Sequence, residues 1–375
     1  MVEQFVRQQV EEDKHYRFGE NSLIPKRARV VDFDDRLNPF GFQIGKEFTF
    51  SGEGFLPVNV ILGRRTVFLE KPINIDGVAH YLEVKGYGRN GQELYPETHV
   101  EGDLYFGMYL DSAKKEFYLP KLLRTHGIGN TQRPIALLQF DTEDFVRYSS
   151  LGLTQLISAR LQLGPHQERV RKALHRICPE YRSKSDDFYW DKRDELGQGI
   201  AAEFLRAFQN GGIEEIRKWA GRFNLLNEVN GLNEEQEFGY VIRAVKSPLR
   251  VGDLHDRSIV TEKNQQIARQ IGQTVRKMLE LGFWHTSPNP GNWTTEGELV
   301  DFEDVVEYPR ETPLIEKDMR FRKFAALKDY VKFTFGEGTI GYLTKEFQQG
   351  FMGSRTTTQE VVDTALVVLD KLSPK

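Results

Sequence analysis

Gly282-Phe-Trp-His-Thr-Ser-Pro-Asn-Pro-Gly-Asn-Trp293, followed by Leu299-Val-Asp-Phe-Glu-Asp304, is the stretch on which the reading of this chain turns. It joins the end of an amphipathic helix to a histidine, a polar turn with two asparagines, and a short apolar run that closes on aspartate. Asn292 and Asp301 offer hard oxygen donors on two short segments spaced to form a hairpin. Such a pair suits a magnesium ion that also holds a nucleotide phosphate. Taken alone, the same residues read equally as a surface loop with Asn-Pro-Gly turn chemistry beside a hairpin strand. The remainder of the chain decides between the two.

The helix that delivers the chain into this loop spans roughly 262–281, with Ile267, Ile271, Val275, Met278 and Leu279 as its core stripe. Helical spacing dominates beyond residue 150: Leu151, Leu153, Leu156, Ile157 and Leu161 share one face, as do Ile200, Phe204, Leu205 and Phe208. Residues 179–197 read as a solvated connection or a substrate-contacting insertion. Residues 318–335 and 358–372 form two further amphipathic helices.

The first half has a different texture. Glu47-Phe-Thr-Phe50, Val58-Asn-Val-Ile-Leu62, Thr66-Val-Phe-Leu69 and His80-Tyr-Leu-Glu-Val84 are short β-branched and aromatic runs punctuated by glycine, the pattern of a small antiparallel sheet. Gly52 and Gly54 sit in a turn between strands, where a plain hairpin is the leading reading and close approach to a phosphate the other. Lys85 ends a strand that runs into Gly86-Tyr-Gly88. By alternation Leu82 and Val84 face one side, and Tyr81, Glu83 and Lys85 the other. A lysine there is either edge decoration or a point charge on phosphate, held by a carboxylate from a neighbouring helix. Residues 112–126 supply that helix and carboxylate, with Ser112 or Asp111 as N-cap, Glu116 in the first turns and Gly127 as the stop. Pro120 predicts a kink or a split within it. Pro134-Ile-Ala-Leu-Leu-Gln-Phe140 follows as a buried strand, then the acidic Asp141-Thr-Glu-Asp144.

The expected fold is therefore α+β with a protein-kinase-like, bilobal plan. Residues 1–140 form a β-rich lobe carrying the nucleotide-binding lysine and one long helix; residues 141–375 form a helical lobe carrying the metal loop and an acceptor site. The 375 residues suffice for two such cores. A net charge of -4 argues against a nucleic-acid partner. The lone Cys178 excludes an intramolecular disulfide framework. The N-terminus lacks a secretory pattern and no apolar run reaches membrane-spanning length, so a cytoplasmic protein without a membrane partner is expected.

Kinases need a lysine on the phosphates, a carboxylate to orient it, Asn and Asp on magnesium, and usually an aspartate as proton acceptor. Against the kinase loop, Asn292 falls at the metal position and Ser287 at the place of the proton-accepting aspartate. Serine cannot be that base at neutral pH. Asp301-Phe302-Glu303 stands where Asp-Phe-Gly is expected, keeping the metal ligand and losing the glycine.

Gly63-Arg-Arg65, Lys85-Gly-Tyr-Gly88, Lys115-Glu-Phe117 leading to His126-Gly-Ile128, Gly282-Phe-Trp-His285, Asn289-Pro-Gly-Asn292 and Asp301 occur in this order. The series resembles the selenoprotein O family, kinase-like proteins that transfer AMP to protein hydroxyls, over separated segments from roughly Gly52 to Asp304. The resemblance implies that Lys85 and Glu116 form the nucleotide-positioning pair, and that Asn292 and Asp301 bind Mg2+ or Mn2+. It further implies that Gly86 and Gly88 flank the nucleotide, that Arg65 contacts phosphate in an ATP turned end for end relative to kinases, and that Arg147 corresponds to a nucleotide-contacting arginine, an exposed arginine on a loop or helix start being the other reading of that residue. AMP would then pass to a hydroxyl on a protein or small molecule. Pro290-Gly291, Glu303, and Gln139 or Phe140 in place of a second arginine depart from the family, as does the missing C-terminal section with its selenocysteine or cysteine. The Pro-Gly-Asn loop also looks like that of aminoglycoside-phosphotransferase-type kinases, which carry the aspartate that Ser287 replaces. An atypical phosphotransferase, another ATP-using ligation on the same scaffold and a non-catalytic ATP-binding pseudokinase are the other readings.

Overall fold

The computed structural model describes residues 27–49, 66–68, 72–85, 108–140, 192–223, 238–253, 262–310, 327–336 and 341–372, with isolated positions between 175 and 188. It is a mixed α+β arrangement. Its sheet contains β1 (Arg27–Phe33), β2 (Glu47–Thr49), β3 (Thr66–Phe68), β4 (Ile73–Ile75), β5 (Val78–Lys85), β6 (Arg133–Phe140) and β7 (Phe238–Val245). The strand order is β2-β1-β6-β7-β5-β3, with β4 pairing β5, and the pairings are antiparallel.

The antiparallel sheet expected of the first half is present, but its middle comes from the second. β7 lies beyond residue 140, in a region read from sequence as helical. Its Phe-Gly-Tyr-Val-Ile-Arg-Ala-Val is β-branched and aromatic, and every residue of it is buried. Strands covered on both faces lose the polar alternation by which an exposed strand is recognised. Gly239 is needed where β7 meets the helix on the sheet, because a Cβ there would press on Leu110 and the Leu138 carbonyl.

That helix, α1 (Leu110–Thr125), lies between two apolar clusters. Met108, Leu110, Ala113 and Phe117 pack with Leu137 and Val241 of the sheet. Leu119 and Leu123 join the larger core of the C-terminal helices. The expected side-chain cap at Ser112 or Asp111 is not used, since the helix begins after Tyr109 with no side-chain cap bond. Nor does Pro120 split it: α1 runs unbroken through the proline.

The C-terminal part is built on α3 (Glu262–Glu280), with α4 (Leu327–Phe335), α5 (Thr344–Met352) and α6 (Thr358–Leu372) around it; α2 (Arg193–Phe223) precedes β7. The stripe expected for α3 is buried in full. Trp284 and Trp293 anchor the opening loop on this core, Trp284 against Tyr330 and Trp293 stacked on Phe347. α2 is interrupted at Gly211 and Gly212. Among the described residues, no helix is long and apolar enough to cross a membrane.

Candidate functional site

The stretch from Phe283 to Glu307 folds as two nested hairpins. β8 (Phe283–His285) pairs antiparallel with β9 (Val305–Glu307). Inside them Trp293 bridges Leu299, Thr294 N donates to Glu298 O at 2.9 Å, and Val300 N donates to Asn292 O at 2.9 Å. Asn292 is thus bonded through its backbone to the residue preceding Asp301, as the hairpin expectation required. The inner hairpin is tied to the sheet by Gln132 N on Leu299 O (3.1 Å) and Leu299 N on Asn130 O (2.9 Å). The segment leaving β7 closes on it as well, with Val251 N on Trp293 O at 3.0 Å.

The polar turn between β8 and Asn292 is held by its own side chains. Asn289 accepts from Gly291 N at 2.9 Å and donates to the Ser287 hydroxyl at 2.9 Å. Asn292 Nδ2 donates to the Ser287 carbonyl at 2.9 Å, which leaves Oδ1 as the atom a metal would take. Ser287 N donates to Nδ1 of the buried His285 at 3.2 Å.

Lys85 Nζ lies 3.0 Å from Asp301 Oδ1, 3.1 Å from Glu303 Oε1 and 4.0 Å from Glu116 Oε1. Sheet, helix and hairpin therefore bring Lys85, Glu116 and Asp301 together, although 216 positions separate Lys85 from Asp301. Asp301 holds the left-handed region at φ +69, unusual outside glycine. The carboxylate oxygens of Glu116, Asp301 and Glu303 lie within 4.8 Å of one another, an oxygen set of the kind a hard divalent cation takes.

Glu116 differs from the simple lysine partner expected. Its Oε1 accepts from Phe302 N (2.7 Å) and Glu303 N (3.3 Å), and its Oε2 from Gln132 Nε2 (2.7 Å) and Arg243 Nη1 (3.0 Å). Four donors occupy its oxygens, and Lys85 stands closer to the other two carboxylates. Burial pushes the Glu116 carboxyl above the usual range; the charges of Lys85 and Arg243 oppose that, and those of Asp301 and Glu303 add to it.

Behind Glu116 the polar chain continues through the interior. Arg243 Nη1 also donates to Gln132 Oε1 at 2.6 Å, and its Nε to Glu83 Oε2 at 2.6 Å. The other Glu83 oxygen accepts from Arg250, which also donates to the Ser247 carbonyl. Burial raises the Glu83 carboxyl, yet Arg250 and Arg243 outweigh it and hold the group below the usual carboxylate range. Burial opposes the charge on Arg243, and Glu83 and Glu116 more than restore it.

Sequence reasoning missed Glu83, Gln132, Arg243 and Arg250 as members of this centre. One signal was available: an arginine inside the apolar run Val241-Ile-Arg-Ala-Val245 is costly to bury without a partner. Of the other residues implicated from sequence, Arg65, Gly86, Gly88 and Arg147 lie outside the described residues. The chain matches no family model, no curated protein and no solved structure.

Proposed function

We propose that this chain is an ATP- and magnesium-dependent nucleotidyltransferase of protein-kinase-like architecture that transfers AMP to a hydroxyl acceptor. The observation that carries the reading is the convergence of Lys85, Asp301 and Glu116, with Asn292 held by backbone pairing beside Asp301. The order of parts supports it too. A lysine strand is followed by a carboxylate helix behind the sheet, a central strand leads out towards the helices, and an Asn–Asp hairpin lies under the lysine.

Lys85 is the point charge for a phosphate oxygen. Asn292 and Asp301 offer oxygens to Mg2+ or Mn2+, and Glu303 is placed to add another. The metal, when bound, neutralises charge on the polyphosphate. Glu116 holds the backbone of the Asp301 loop. By sequence register Ser287 falls where a kinase carries its base, and its hydroxyl accepts from Asn289. This feature, with the resemblance to the selenoprotein O family, favours AMP transfer over phosphoryl transfer.

Incubation with magnesium and ATP labelled at either the α or the γ phosphate tests the proposal. Label passing from α and not γ to protein or extract is the expected result. Label from γ alone identifies a phosphotransferase. No transfer, with ATP-induced thermal stabilisation intact, identifies a nucleotide-binding pseudoenzyme.

A further inference from the structure

The geometry points to Arg243 as the positioning residue of this centre: it holds Glu116 in the orientation that fastens the Phe302 and Glu303 amides, and so sets Asp301 and Glu303 around Lys85. Arg243 lies opposite Glu83 in the β5–β7 register. Its Nε is committed to Glu83 and its Nη1 is shared between Glu116 and Gln132. A single guanidinium thus spans two carboxylates and an amide, which a lysine ammonium cannot do.

Arg250, Glu83, Arg243 and Glu116 form a buried series of alternating charge that ends on two backbone amides of the hairpin. Burying these ions is a poor way to gain stability, since apolar residues of similar volume commonly serve as well. What the series does achieve is registration. It joins the connector after β7, the strand of Lys85, helix α1 and the Asp301 loop through bonds with fixed angles.

In kinases the helix that carries the equivalent glutamate is a control element, because its position decides whether the lysine pair forms. Here Glu116 is anchored from behind by the central strand. That bond ties α1 to the sheet through the same carboxylate that holds the Phe302 and Glu303 amides. For its bearing on nucleotide binding, this inference rests on the functional reading above; the clamp itself does not.

Hydrogen exchange read by mass spectrometry on a peptide spanning Val300 to Val305 tests the clamp directly. Arg243→Met, Arg243→Lys, Glu116→Gln and the Arg243→Met/Glu116→Gln double variant are compared with the wild type. In R243M, exchange at Phe302 and Glu303 should rise by about tenfold or more while the amides of α3 keep their protection. E116Q should do the same, and the double variant should add nothing, because Arg243 acts through Glu116. R243K should recover only part of the protection, and it carries the test if R243M does not fold. Wild-type exchange at both amides in R243M, or in R243K should R243M not fold, overturns the proposal; so does a fully additive double variant. Binding of Mn2+ with ATP is scored separately. A wild type that binds none sinks the functional reading and leaves the exchange result to judge the clamp.

Discussion

Gln132 supplies to the Glu116 carbonyl the hydrogen bond that Pro120 cannot. A residue at 120 with an N–H would donate to that carbonyl within α1; proline has none. Gln132 Nε2 takes its place at 3.0 Å while also donating to the Glu116 side chain. The helix continues through Pro120 with the lost bond replaced from outside it, and the replacement doubles as a hold on Glu116. Gln132→Leu should therefore destabilise by about 2–3 kcal/mol, since it leaves the Glu116 carbonyl and an Arg243 N–H without a partner. On a Pro120→Ala background the same change should cost roughly 1 kcal/mol less, the carbonyl then being satisfied within the helix. Urea unfolding of the four proteins measures this, and strict additivity would sink the account.

How far the sequence discloses this centre depends on whether a residue acts through local spacing or through a distant partner. Lys85 was legible because it ends a strand before a glycine turn, and Asn292 and Asp301 because a hairpin spacing joins them. Glu116 is legible from the start and stop signals of its helix, but not its four donors, which arrive from the residue before β6, from β7 and from the hairpin. Glu83 was assigned to the face opposite Leu82 without a partner for it. That face is covered, so Glu83 is a buried ion and not a surface one. The missed β7 has the same cause: burial on both faces removes the alternation that marks a strand.

Asp301→Asn is the sharpest single change at the hairpin. Asparagine accepts the left-handed backbone that Asp301 holds, so the fold should survive. Lys85 loses a charged partner at 3.0 Å and, on the proposed function, the metal loses a carboxylate. Mn2+-dependent ATP binding, followed by paramagnetic resonance, should weaken by about tenfold or more, while the melting temperature moves by only about 4 °C or less. Undiminished Mn2+ binding would remove Asp301 from the metal site.

Helices α3 and α5 approach each other so closely that side chains are excluded. A Cβ on Gly272 would overlap the Phe347 carbonyl, and one on Gly350 would overlap the Arg269 carbonyl. Backbone, not a flexible side chain, stands in the way. Gly350→Ala should cost about 3 kcal/mol or more by forcing the helices apart. Gly353→Ala offers a control: it ends α5 at φ +78 with open space around it, and should cost only about 1–2 kcal/mol. Equal losses from the two variants would contradict this packing.

Burial of Glu298 predicts that the stability of the hairpin falls as pH rises. Its Oε2 accepts from Lys246 N at 2.6 Å, while Oε1 has no hydrogen-bond partner among the described residues. Burial raises its carboxyl, with the Lys246 N–H bond and the charges of Lys246, Arg124 and Arg250 opposing. A carboxyl raised in the folded state contributes fully below its unfolded value, about 4.3, and loses that contribution as pH rises through the folded value. Glu298→Gln removes the ionisation and keeps an oxygen for Lys246. Its melting temperature should therefore gain on the wild type as pH rises from 4 to 8. A gain that shrank over that range would reverse the assignment.

The last pair of the β6–β7 ladder is Phe140 opposite Phe238. The chain thus leaves β6 at Phe140 and enters β7 at Phe238 in paired positions, so the two strands meet as neighbours although they are far apart in sequence. During synthesis, β5 and β6 must wait for the strand that separates them, and no fragment ending at residue 140 can complete the sheet.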